Sequence, residues 1–163
     1  MITTTPRDGA TVPPAPTTRV RHIAVILRLA VPYVVFTFLK RVVPLPRLVQ
    51  WAWLRPAGPR DKDAEGLTIG CMVRLRRLTF ADRGDCVQGS LVLYRALSKV
   101  GASPHFVVGL HRIAGNVRGH AWTTVDGEVV AESATSVASF VPAMEFGANG
   151  ALLLGADRPG SSH

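Results

Sequence analysis

The stretch "GDCVQGSLVLYRAL", residues 84–97, decides how the chain is read. Asp85 has the chemistry of an N-cap, and Gln88 falls at the third helical position, the pairing of a capping box. Behind them Val87, Leu91, Tyr94 and Leu97 recur at helical spacing, and Gly101 is placed to end the helix. Cys86 therefore heads the helix. A thiol there lies near backbone N–H groups that favour its thiolate, although Asp85 opposes part of that effect. Taken alone, Cys86 is equally a small hydrophobe closing a core or a nucleophile that still needs a base.

Downstream the period changes from helical to alternating. "HFVVGL", residues 105–110, reads as a strand, and Gly115 and Asn116 belong to a loop. "GHAWTTVDGEVVAES", residues 119–133, then reads as a hairpin around Asp126 and Gly127. A helix followed by at least three strands predicts an α+β domain with the helix packed on a small antiparallel sheet. His120 is the histidine best placed to meet Cys86. His22 and His163 lie in peripheral segments, and His105 and His111 sit toward the ends of their strand. After residue 133, Phe140, Met144 and Phe146 are expected to pack on the sheet.

Upstream, Leu67, Cys71, Leu75 and Leu78 form the apolar face of a helix over residues 64–78, with Arg76 and Arg77 on its other face. Cys71 is thus a structural cysteine. Before it stands the most apolar part of the chain, "HIAVILRLAVPYVVFTFLKRVV", residues 22–43, interrupted by Arg28 and Pro32. Its uncharged part, residues 29–39, is eleven residues long, against about 20 for a helix that spans a bilayer. It reads as a pair of short helices packed on the domain, or as an amphipathic arm that meets a partner. Pro and Gly between residues 56 and 59 mark the end of this arm.

The 163 residues fit one domain. The reading divides them into a Thr/Pro-rich disordered tail (1–18), a hydrophobic basic helical arm (19–60), a core (61–155) and a frayed end (156–163). At 47% apolar and 18% charged the chain is a folded one. Net charge is +8, and residues 9–60 hold eight basic side chains and no acid. No zinc-finger spacing, glycine-loop motif or aromatic-interleaved basic stripe accompanies that charge, so nucleic acid is not an expected partner. An anionic membrane surface or an acidic polypeptide is compatible with it. Two cysteines and no conventional signal peptide at the start point to a reducing compartment, the cytoplasm. No metal or cofactor is expected.

The two segments "DCVQGSLVLYRALSKVGASPHFVVGL" and "GHAWTTVDGEVVAES", at this separation, resemble the transglutaminase-like cysteine peptidases of lasso peptide biosynthesis, the B or B2 leader peptidases. The resemblance covers residues 64–142. It implies a papain/transglutaminase-like core in which a Cys-His-Asp arrangement removes the leader from a ribosomally made precursor before an ATP-dependent macrolactam synthetase closes the ring. Cys86 would be the nucleophile, its backbone N–H an oxyanion donor, and His120 the general base and then acid. The implied partners are the precursor leader and a separate B1-type recognition protein. Glu132 stands where the family pattern has aspartate, and this departure leaves open a noncatalytic, precursor-binding member of the same assembly.

Hairpin geometry makes the role of Glu132 testable. Asp126 is assigned to the turn. With a two-residue loop, Ala121 faces Glu132 and the carboxylate falls opposite His120; with a three-residue loop ending in a left-handed Gly127, His120 faces Glu132 directly. A triad therefore predicts the bulged, three-residue turn. The same register puts Trp122 on the His120 side, as a wall of the substrate groove or as core.

Overall fold

The structure is a computed structural model that describes residues 16–78 and 86–153. It is an α+β fold in which one helix is enclosed by others and by a four-stranded antiparallel sheet. The expected capping partner Asp85 and the expected frayed end lie outside the described residues.

That enclosed helix is α4, Cys86–Lys99. Leu91, Val92, Leu93, Tyr94 and Leu97 are all buried, so it is apolar on more sides than one stripe would require. At its end Gly101 has φ +81°, the Ala102 N–H donates to the Leu97 carbonyl and the Gly101 N–H to that of Ser98, a Schellman cap. A side chain at residue 101 would also meet the Arg60 backbone at 2.9 Å, which leaves glycine as the residue that fits.

Around α4 lie α1 (Pro16–Leu39), α2 (Leu45–Ala52) and α3 (Lys62–Leu78). Contrary to the expected pair of short helices, α1 is one continuous helix of 24 residues with Pro32 inside it. The loss of one backbone donor at Pro32 is outweighed by packing, because Leu29 and Phe36, on either side of the proline, are buried in the same core as α4. Lys40 Nζ, just past α1, donates to Oε1 of the wholly buried Gln88 at 2.7 Å and ties that end of the helix to the start of α4.

The strands are β1 (Pro104–Ile113), β2 (Asn116–Val125), β3 (Glu128–Val130) and β4 (Val141–Phe146), in the order β3-β2-β1-β4. A short helix α5, Ala134–Val137, precedes β4. Side chains alternate across the sheet. Phe106, Ala121, Val125 and Phe146 join the core shared with α4, while Val107, Trp122 and Val137 form a second cluster with Phe140. Met144 and Phe146 pack as the sequence suggested, but as members of the strand β4. Tyr94 fastens the far end: its hydroxyl donates to the Gly147 carbonyl and accepts from the Gly150 N–H.

The β2–β3 turn differs from the expected one. Val125 pairs with Glu128, so the loop is the two residues Asp126 and Gly127, with φ +53° and +83°, a type I′ turn. The strand β3 stops at Val130, and the second strand does not run on through Glu132 as anticipated.

Candidate active site

The end of β3 at Val130 is what makes the site. Its ladder covers β2 only at Thr123, Thr124 and Val125, so the edge groups of β2 at Ala121 need other partners. Helix α4 supplies them. Ser90 Oγ donates to the Ala121 carbonyl at 2.9 Å, and Cys86 is hydrogen-bonded to the Ala121 backbone. Thr123 Oγ1 donates to the Ser90 carbonyl at 3.1 Å. These bonds bring the first turn of α4 against the strand that carries His120.

Cys86 and His120 are joined side chain to side chain by a hydrogen bond. His120 Nε2 lies 2.7 Å from Glu132 Oε2, which leaves Nδ1 for the thiol. Glu132 reaches this position although the turn has the register that should turn it away. The correction is made at Ala131, whose φ of +64° breaks the alternation after β3 and swings the next side chain back across the sheet edge. The one-residue irregularity that a triad requires is therefore present, at Ala131 and four residues later than the Gly127 of the sequence reading. Asp126 stays in the turn, paired with Arg60 at 2.8 Å.

A fourth side chain completes the arrangement. Arg76 was expected on the solvent face of α3, yet its Nη1 lies 2.8 Å from Glu132 Oε1 and its Nη2 donates to Ser90 Oγ at 3.2 Å. Each oxygen of Glu132 thus has its own cationic or imidazole partner. A Cβ at Gly89 would come within 3.2 Å of Arg76 Nη2, so the guanidinium lies close over the backbone of α4. Sequence reasoning missed Arg76 because Leu75 claimed the inward position of that turn; an arginine one place beyond it can still fold back at the helix end.

The charges follow from these contacts. Burial pushes the Cys86 thiol up, but the bond from His120 and the backbone groups of Ala121 and Val87 together bring it below its ordinary value. His120 is pushed up to about 9, by its bond to Cys86 first and to Glu132 second. Burial raises Glu132, and the bonds from His120 and Arg76 override it and hold the carboxyl below its usual range. At neutral pH His120 is an imidazolium and Glu132 a carboxylate, and the thiol in line with them ionises more readily than a free one. Cys71, by contrast, is buried and its thiol is raised by that burial, which makes it unreactive.

Aromatic rings wall the imidazole. Trp122 stacks near His120 with centroids 6.1 Å apart, and Phe140 lies 5.2 Å away. Trp122 is itself buried in the second cluster, so it serves as core and wall together. It fits because residue 109 is glycine, where a Cβ would stand 2.6 Å from the indole. The neighbouring histidines have other bonds: His105 Nδ1 is 2.6 Å from Glu145, and His111 Nδ1 is 2.6 Å from the Ser139 carbonyl. Chemically, the arrangement can present an ionised thiol to a carbonyl carbon and a proton to the group that leaves.

Comparison with known proteins agrees with this chemistry at the level of superfamily. No curated protein and no solved structure matches the chain. A family model described as the transglutaminase-like superfamily matches residues 30–145, which takes in the last ten residues of α1 as well as the cysteine-headed helix and the sheet. That superfamily includes cysteine peptidases and transglutaminases. With 116 of its 163 residues inside the match and a cysteine-headed helix packed on an antiparallel sheet, the chain belongs to the transglutaminase-like superfamily.

Proposed function

We propose that this protein is a cysteine endopeptidase that removes the leader from a ribosomally synthesised lasso peptide precursor. The observation that carries the reading is the continuous hydrogen-bonded row Cys86, His120, Glu132, with Arg76 behind it. The finer assignment, to leader removal, rests on the resemblance of the Cys86 helix and the His120 strand to that group of peptidases.

In this reading the Cys86 thiolate attacks the carbonyl carbon at the leader–core junction. The oxyanion that forms is met by the N–H of Cys86, a donor at the start of a helix with no intrahelical partner. As the C–N bond breaks, imidazolium His120 gives its proton to the departing amine, leaving a thioester on Cys86. Neutral His120 then takes a proton from water, the hydroxide adds to the thioester carbonyl, and the sulfur leaves as thiolate while His120 regains its charge. Glu132 keeps one tautomer of His120 facing the sulfur and stabilises its cation; Arg76 fixes Glu132. Trp122 and Phe140 border the groove. Glutamate in place of the family aspartate is accommodated by the turn of the chain at Ala131, and its full set of partners weighs against a noncatalytic role.

The partners that follow are the precursor leader, a separate B1-type recognition protein and the macrolactam synthetase that takes the freed core, all in the cytoplasm. The test is mass analysis of a leader-bearing precursor incubated with this protein and its recognition protein. Two fragments whose masses sum to the precursor plus one water support the proposal; an intact precursor overturns it.

A further inference from the structure

Among the described residues nothing covers the outer side of α1. Val20, Ile23, Leu27, Val31, Val34 and Phe38 follow one another at steps of three and four and are all largely exposed, Val20 and Val31 at 66% and Phe38 at 63%. The stripe runs for about 27 Å at 1.5 Å per residue. A helix with apolar residues on two opposite sides has both to bury, and only the inner side of this one has found the core. Residues Val20–Leu39 are long and apolar enough to cross a bilayer. The inner side argues against crossing, because Leu29 and Phe36 are packed in the core shared with α4. What remains free is one face, suited to lying along a surface.

The charge around that face selects the surface. Residues 9–60 hold eight cations and no acid. Arg21 and Arg28 flank the stripe on one side, and there they meet Arg95 and Lys99 of α4 around a recess of about 720 Å³ that Leu27 and Val31 also line. Among the described residues that line it there is no carboxylate. Apolar ridge, cationic flank and greasy recess together match the acyl chains and phosphates of an anionic bilayer.

We infer that the outer face of α1, with the cationic recess beside it, seats this protein on the surface of an anionic membrane. The inference does not rest on the peptidase reading. It does set the cleft near the bilayer, because Lys40 binds Gln88 two residues from Cys86.

Flotation of the full chain with phospholipid vesicles tests it. The chain is expected to float with vesicles of phosphatidylcholine mixed with phosphatidylglycerol and to stay behind with phosphatidylcholine alone. Arg21→Gln with Arg28→Gln should weaken binding to the mixed vesicles by about 25-fold, from about 1 kcal/mol for each cation near the surface. Leu27→Glu with Val31→Glu, both exposed positions, should abolish flotation with the circular dichroism spectrum unchanged. Three results would overturn the inference. The chain could fail to float with the mixed vesicles, or the Leu27/Val31 variant could float as well as the parent. Alternatively, sedimentation velocity could show a dimer that this variant breaks, which would assign the face to a second copy.

Discussion

Glu132 Oε2 lies 2.7 Å from His120 Nε2 on the side of the sheet that the two-residue turn at Asp126 and Gly127 denies it. The relationship exists because Ala131 sits at φ +64°. Such backbone costs a residue with a Cβ about 1–2 kcal/mol and costs a β-branched one more. Ala131→Val is therefore expected to destabilise the fold by about 1–3 kcal/mol in urea unfolding and to slow alkylation of Cys86 at neutral pH. Ala131→Gly should keep alkylation at the parent rate. Equal behaviour of the Val and Gly variants would detach the conformation at residue 131 from the site.

Arg76 acts through Glu132, as a positioning residue. Removing the guanidinium in Arg76→Met leaves Glu132 Oε1 and Ser90 Oγ each without this partner, a loss of about 1–3 kcal/mol. Processing should fall by about 10–100-fold, in kcat rather than KM, with the alkylation profile of Cys86 displaced toward higher pH. Arg76→Lys keeps the charge and loses the fork, and should recover only part of the rate. An unchanged pH profile in Arg76→Met would reduce Arg76 to a packing role.

The pH profile follows from two displacements of opposite sign. The Cys86 thiol ionises below its ordinary value, and His120 holds its proton up to about 9. The active ion pair forms as pH rises through the lowered thiol value and is lost as pH rises past about 9, giving a bell whose two limbs belong to the pair. kcat/KM measured across pH 4 to 11 checks this. Glu132→Gln, which withdraws the charge behind the imidazolium, should bring the alkaline limb down. A profile that climbs without a maximum would contradict the ion pair.

Gly109→Ala tests the wall of the groove. The added methyl carbon would stand 2.6 Å from the Trp122 ring, so the indole must shift against Phe140 and His120. Overpacking of this kind costs about 1–3 kcal/mol, read as a lower midpoint in urea unfolding. Activity should drop beyond what the lost stability explains. A variant with parental stability would show that Trp122 has room the structure does not indicate.

Much of this was legible in the chain because local signals and tertiary packing agreed. The Leu/Tyr stripe after Cys86 is a helix in any packing, Gly101 ends it through its own backbone, and the alternation around His120 makes a strand. Disagreement arose where a contact spans many residues. Arg76 and Glu132 are 56 apart, and nothing in the period around Leu75 announces a guanidinium folding inward. Asp126 and Gly127 read correctly as a turn, but its length depends on where β3 stops, and Ala131 carries no residue-type signal for a left-handed backbone. Pro32 pointed to a break in α1 that the burial of Leu29 and Phe36 overrides.

The central claim is that the sulfur of Cys86 opens the peptide bond. It is tested most directly by mass spectrometry of the leader-bearing precursor after incubation with the recognition protein and either the parent chain or Cys86→Ala. The account predicts leader and core fragments from the parent and none from Cys86→Ala, whose circular dichroism stays parental because the thiol is a small part of the core. Processing by Cys86→Ala at the parent rate would contradict it.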